Sequence, residues 1–392
     1  MSSSTLAPLH SEKMTDPAYP AARAVAAKVQ DHFTRHLAIA RETGRPDLPE
    51  PPDSDAVETL IDAAFWASLR REEGVTPTIS LAYVPPERAG HPLKFAVPIP
   101  MRPAKLAKVA PAVERPGIHL GVWRKGADFQ VWGTTRDVPA FCLVVEVVAS
   151  GLIVVKHRSE PFGKFVNVAV LEGDQVKVVD DTGGAAVPDC PQLVKSLLGF
   201  GVGPMSRDKV NVLVEMAASM RAHGRGGALI VVPSQGTQWR ESVVAPMTYE
   251  VEPPFTGLAD VLGSKPAHPP YNDWQDDLRR AVDAIAGLTA VDGATILNDR
   301  NELLALGAKL ARRRGNAPVE QVSYTEPVEG NERVLVGPTQ LGGTRHLSAA
   351  QFVHDQRDSS ALVASQDGRF TIFKWSPREE IVHAHRVDAL LL

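Results

Sequence analysis

Three short segments in the second half of this 392-residue chain combine side chains suited to phosphate chemistry. Gly342-Gly343-Thr344-Arg345-His346 runs into Ser348-Ala349-Ala350, which reads as the start of a helix. A planar guanidinium, an imidazole and the free N–H groups of a first helical turn all suit phosphate oxygens. A capped helix with an exposed Arg and His would use the same residues, and the segment alone does not separate the two readings. Asp292-Gly293-Ala294 opens an apolar run ending at Leu297. An aspartate there holds a carboxylate at a sheet edge, and the glycine lets a ligand approach the backbone; an ordinary turn is the alternative. Ser365-Gln366-Asp367-Gly368-Arg369 joins two expected strands, residues 361–364 and 370–375.

Other candidates are thinner. His383 and His385 alternate along an expected edge strand and offer two metal ligands without a third, so solvent-facing histidines are the plainer reading. Cys142 and Cys190 give neither a disulfide framework nor zinc spacing. Gly199, Gly201 and Gly203 alternate as in a phosphate loop, but their spacing matches neither the P-loop nor the dinucleotide fingerprint and reads as a flexible interdomain linker. Trp123 and Trp132 flank a hairpin, where cross-strand packing competes with a ligand-facing aromatic pair.

The elements that must position these groups follow from periodicity. Val25, Val29, Phe33 and Leu37 recur every four residues along one helix. A proline-dense connector, residues 43–53, leads to a second helix with Asp55 and Glu58 as a capping box and a buried stripe through Leu60, Ile61, Ala64, Phe65 and Leu69. Between residues 76 and 179, short valine-rich and aromatic runs alternate with the turn pairs Lys125-Gly126, Ser150-Gly151 and Gly173-Asp174, which predicts antiparallel hairpins. Further on, a helix with Val210, Leu213, Val214, Ala217 and Met220 on one face precedes the apolar strand 226–232. Another, with Trp274, Leu278, Ala281, Val282 and Ile285 inward, precedes Asp292.

The expected organisation is α+β or α/β. An amino-terminal helix with a disordered, proline-rich linker occupies residues 1–53, a β-rich domain 54–187, and a mixed sheet flanked by helices 205–392. The net charge of -4 excludes the broad basic footprint of a duplex nucleic-acid binder. The most apolar stretch, residues 140–155, is interrupted by Glu146 and Ser150-Gly151, so it predicts two strands and no membrane span. The polar first 14 residues lack a secretory signal, which predicts a cytoplasmic protein.

Taken in order, Gly227-Ala228-Leu229-Ile230-Val231, then Asp292-Gly293-Ala294, then Gly343-Thr344-Arg345-His346 leading into Ala349-Ala350, then Ser365 and Gly368, are similar to the diadenylate-cyclase domain. The likeness spans residues 207–375, less than half the chain. With the β-rich domain before it, the chain resembles the DACNV group of probable nucleotide sensors. The resemblance implies two domains meeting face to face as a homodimer, each with one ATP, to form cyclic di-AMP. It gives Asp292 a catalytic role and, with Asp367, the hold on Mg²⁺ or Mn²⁺. It gives nucleotide binding to Gly293, Ala294, Gly343, Thr344, Arg345, His346, Ser365 and Gln366. The chain departs from the family where Leu347 replaces a second arginine, Gln366 replaces a glutamate in a shortened loop, and Val291 replaces a histidine. Losing a charge-assisted donor and an anionic oxygen erodes catalysis more than binding. The expectation is a sensor for ATP or a cyclic or oligonucleotide messenger. A divergent active cyclase, with Asp367 standing in for the glutamate, and a structural module without ligand remain as alternatives.

Overall fold

The computed structural model describes residues 18–45, 47–126, 128–158, 164–200, 204–266 and 272–392, with the side chains of 204–211 and 272 set aside. The Ser/Thr-rich first 15 residues, whose composition predicts disorder, lie outside the described residues, as do Gly201 and Gly203 of the glycine run and the side chain of Val210. Two compact units emerge: residues 1–162 with 171–176, and residues 163–170 with 177–392. No helix among the described residues is long and apolar enough to cross a membrane.

The first unit opens with α1 (Pro20–Glu42), which starts on a proline whose missing N–H costs nothing in a first turn. It buries Val25, Val29, Phe33 and Leu37. The next helix, α2 (Ser54–Ser68), is capped by Asp53, which accepts from the Ala56 N–H at 2.8 Å. The expected Asp55 and Glu58 box is thus displaced: Glu58 pairs with Arg23 and Asp55 with Arg124. Then follow β1 (Ile79–Tyr83), β2 (Leu93–Pro100), α3 (Pro103–Val109), β3 (His119–Lys125), β4 (Asp128–Thr135), β5 (Val144–Ala149) and β6 (Leu152–Arg158). These strands run in the order β2-β4-β3-β1-β5-β6. The sheet is mixed and not purely antiparallel, because β1 and β3 pair in parallel after the chain has crossed through β2 and α3. The two tryptophans go to different partners: Trp123 stacks on Tyr83, while Trp132 donates to the Val84 carbonyl at 2.8 Å and fills the space over Gly121.

Next in the chain come β7 (Phe165–Glu172), β8 (Gln175–Val178), α4 (Asp181–Ala186), α5 (Gln192–Leu197), α6 (Pro204–Ala222), β9 (Gly227–Val232), β10 (Tyr249–Phe255), α7 (Gly257–Gly263), α8 (Asn272–Leu288), β11 (Ala294–Asn298), β12 (Leu303–Ala308), β13 (Val322–Thr325), β14 (Val334–Val336), α9 (Pro338–Leu341), α10 (Thr344–Asp355), β15 (Ser360–Ala364), β16 (Phe370–Ser376) and β17 (Ile381–Arg386). The second unit is built on a nine-stranded mixed sheet ordered β10-β12-β11-β9-β15-β16-β17-β13-β14. Alternation along the strands splits its core in two. Leu229, Leu297, Leu362 and Ile372 meet Met216, Met220, Val282 and Ile285 of α6 and α8. Ile230, Ile296, Val363 and Phe373 meet Ala349, Ala350, Phe352 and Val353 of α10.

His383 and His385 are not on an edge. β13 arrives in parallel beside β17 and buries both rings. His385 Nδ1 lies 2.8 Å from the Thr325 hydroxyl, and burial pushes its pKa down to about 3. His383 Nε2 contacts Glu379 at 2.8 Å.

Candidate functional site

Register brings the sequence candidates to one end of the nine-stranded sheet. Ala228 faces Ala294 across the parallel pair β9 and β11, and Gly227 faces Ala364 across β9 and β15. The residues just outside those positions, Gly226, Gly293 and Ser365, therefore share a rim, and α10 begins beside it. Arg345, in the first turn of α10, lays its guanidinium over Gly226: a Cβ built there would sit 3.2 Å from Nη1 and 3.3 Å from Gln366 Cγ. Gln366 Nε2 donates to the Arg225 carbonyl at 3.3 Å. Gly226 belongs to the rim, although its place before an apolar strand suggested only sheet structure.

Asp292 stands on this rim nearly fully exposed. Its Oδ2 is 2.6 Å from Lys309 Nζ, which also donates to the Asp292 carbonyl at 3.2 Å. That lysine, and behind it Arg345, hold the carboxyl below its ordinary pKa. Lys309 was legible in principle: Ala294 pairs with Ala308, so the residue after β12 must come back beside the residues before β11. Asp367 likewise has its own cation, with Arg369 Nε 3.2 Å away. Each carboxylate assigned to a divalent ion thus faces a side-chain cation that would repel one. The residues as arranged do not fit a metal held by Asp292 and Asp367.

Other candidates serve the backbone. Gly293 adopts φ +120, and a Cβ on it would lie 2.4 Å from the Gly307 carbonyl carbon, so closure of the β11 and β12 pair requires glycine. Ala294 is buried in β11. Ser365 closes a tight turn, donating its N–H to the Arg369 carbonyl at 2.8 Å and accepting from Gly368 at 3.2 Å. His346 is also buried, its Nε2 3.4 Å from the Thr371 hydroxyl, and burial lowers its pKa. Gly343 caps α10 and Thr344 opens it; both are exposed, and Gly343 makes no side-chain cap to the first turn. A cleft of about 230 Å³ lies alongside, lined by Tyr324, Val334, Val336, Leu341, Arg369 and Thr371 among others.

The fold and this rim define an α+β protein with a polar, arginine-bearing site at one end of a helix-flanked mixed sheet. Residues 46–136, in the other unit, match the family model described as the probable sensor domain DACNV, and that segment is a relative of those sensor domains. Among solved structures the chain is similar to a double mutant of DacA from Staphylococcus aureus, at 14% identity and a TM-score of 0.24, over 46% of this chain and 89% of that one. No curated protein matches the sequence.

Proposed function

We propose that the chain is a cytoplasmic sensor whose second unit binds a nucleotide without cyclising it. The observation that carries this reading is the ion pair between Asp292 and Lys309 beside an Arg345 that has no carboxylate partner among the described residues. Phosphate oxygens would lie between Arg345 and the first-turn N–H groups at Gly343 and Thr344, where the helix dipole adds to the attraction. The neighbouring cleft beside Tyr324 and Leu341 would take the base. A sensor needs only this binding, whereas in-line displacement needs a free anionic ligand for a metal, and here Lys309 faces Asp292 and Arg369 faces Asp367. The DACNV match in residues 46–136 supports a sensing role.

Calorimetric titration with ATP and with cyclic di-AMP, in EDTA and in Mg²⁺ or Mn²⁺, tests the proposal. Binding should persist in EDTA and weaken by about 1.5 to 3 kcal/mol in Arg345→Gln, the worth of a hydrogen bond to a charged group. Metal-dependent formation of cyclic di-AMP that is lost in Asp292→Asn would replace the sensor with a cyclase.

A further inference from the structure

At the opposite end of the same sheet, where β9 stops and β15 begins, the loops part around a cleft of about 680 Å³. Residues 233–239 form one wall and residues 313–317 another, and the last turn of α10 with the residues up to Ser359 forms the floor. Asp355 holds this frame together. Its side chain is fully buried, accepting from the Arg313 N–H at 2.8 Å, Asn316 Nδ2 at 2.9 Å and Gln351 Nε2 at 3.0 Å, with His354 Nδ1 at 3.1 Å. Gln356 Nε2 fixes the other wall by donating to the Gln238 carbonyl at 3.1 Å and Ser242 Oγ at 2.9 Å. The cleft is therefore held open by its own polar framework.

The charges left over are mostly positive. Arg357 lies 4.1 Å from the Trp375 ring centre and has no carboxylate partner among the described residues. Arg313 pairs with Glu241 through Nε at 2.7 Å and is itself part of the lining. Exposed Arg312 and Arg314 flank it without carboxylate partners among the described residues. Asp355 has no oxygen to spare, and Asp358 is a lone carboxylate whose main-chain carbonyl accepts from Lys374 at 3.1 Å. A divalent cation finds no free carboxylate pair here, and an apolar molecule would strand polar groups. A volume of this size is in the range of small-molecule sites, about 300 to 1,000 Å³. Guanidinium forks and side-chain amides on pinned loops suit phosphate oxygens.

We infer that this cleft binds a small phosphorylated molecule at a site distinct from the Arg345 rim. The twelve residues of α10 put about 18 Å between the two ends, and the inference does not rest on the nucleotide reading. The full chain carrying Arg345→Gln, which disables the other rim, is titrated calorimetrically with inorganic pyrophosphate and with citrate. Pyrophosphate should bind, and adding Arg357→Gln should weaken it at least tenfold, with citrate the poorer ligand throughout. Arg313→Gln, which keeps the backbone N–H to Asp355, should weaken pyrophosphate binding in the same direction, and matching thermal midpoints show that the variants fold. Absence of pyrophosphate binding to the Arg345→Gln chain overturns the site. So does an affinity that neither Arg357→Gln nor Arg313→Gln changes, or a preference for citrate.

Discussion

Asp292 and Asp355 stand at opposite ends of one sheet, each near an arginine, and their surroundings use them in opposite ways. Asp292 is almost fully exposed and touches one flexible lysine. Exposed pairs of this kind are screened by water and salt and contribute little to folding. The Asp355 side chain is fully buried. Burial alone would raise its pKa, but hydrogen bonds from Asn316, the Arg313 backbone, His354 and Gln351 outweigh it and hold the carboxyl below its ordinary value. The end with a recognisable motif is thus the loosely held one, ready to meet a ligand. The end with no motif is braced by a carboxylate already fully committed.

The largest expected effect breaks the braced end. Asp355→Ala strands the Arg313 N–H, Asn316 and Gln351 as buried donors and should cost about 3 to 5 kcal/mol, read from the urea midpoint. A cost indistinguishable from zero would abolish the contrast with Asp292. The folded-state pKa of Asp355 is depressed, so its contribution is complete above the ordinary carboxyl range and fades as pH falls through the lower folded value.

A second effect separates acid sensitivity inside the sheet from that at its ends. His385 binds a proton near pH 6.5 when unfolded but only at about 3 when folded. The unfolded state therefore holds the extra proton between those values, and stability falls as pH drops, by up to about 1.4 kcal/mol per pH unit. Between pH 6.5 and 4 this histidine should remove about 3 kcal/mol, and His385→Leu should flatten that slope. An unchanged slope assigns the acid response elsewhere.

Glycines sharpen the comparison within the motif end itself. Gly293→Ala must put a Cβ into the Gly307 backbone at φ +120 and should cost at least about 2 kcal/mol, whereas Gly343→Ala meets nothing within 4 Å at φ -75 and should leave the urea midpoint in place. Equal effects would mean that both glycines serve the same purpose.

What could be read from the sequence divides along the same line. The stripe Val25, Val29, Phe33 and Leu37, the apolar β9 and the start of α10 follow local periodicity, and the structure has them. Register did the rest for the rim, because glycines at strand ends bring Asp292, Gly226 and Arg345 to one place. The Asp355 brace, the burial of His383 and His385 and the parallel pairing of β1 with β3 depend on partners tens of residues away. No local pattern marks such a partner. Lys309 lies between these cases, hidden only until β11 and β12 are paired.

The smallest effect is the most discriminating. Asp292→Asn should leave the unfolding midpoint where it is, since the carboxylate is exposed and has one mobile partner. Its effect on ligand should be visible all the same. If Asp292 serves only to pair with Lys309, removing its charge lifts a repulsion from the phosphates and frees an ammonium to meet them. ATP affinity in EDTA should then rise a few-fold. If Asp292 instead holds a divalent ion, the same change weakens ATP binding in Mg²⁺ and does nothing useful in EDTA. The sign of the change in EDTA, measured beside Lys309→Met, which should move affinity the other way, decides whether the exposed carboxylate at this end works through a metal or through its lysine.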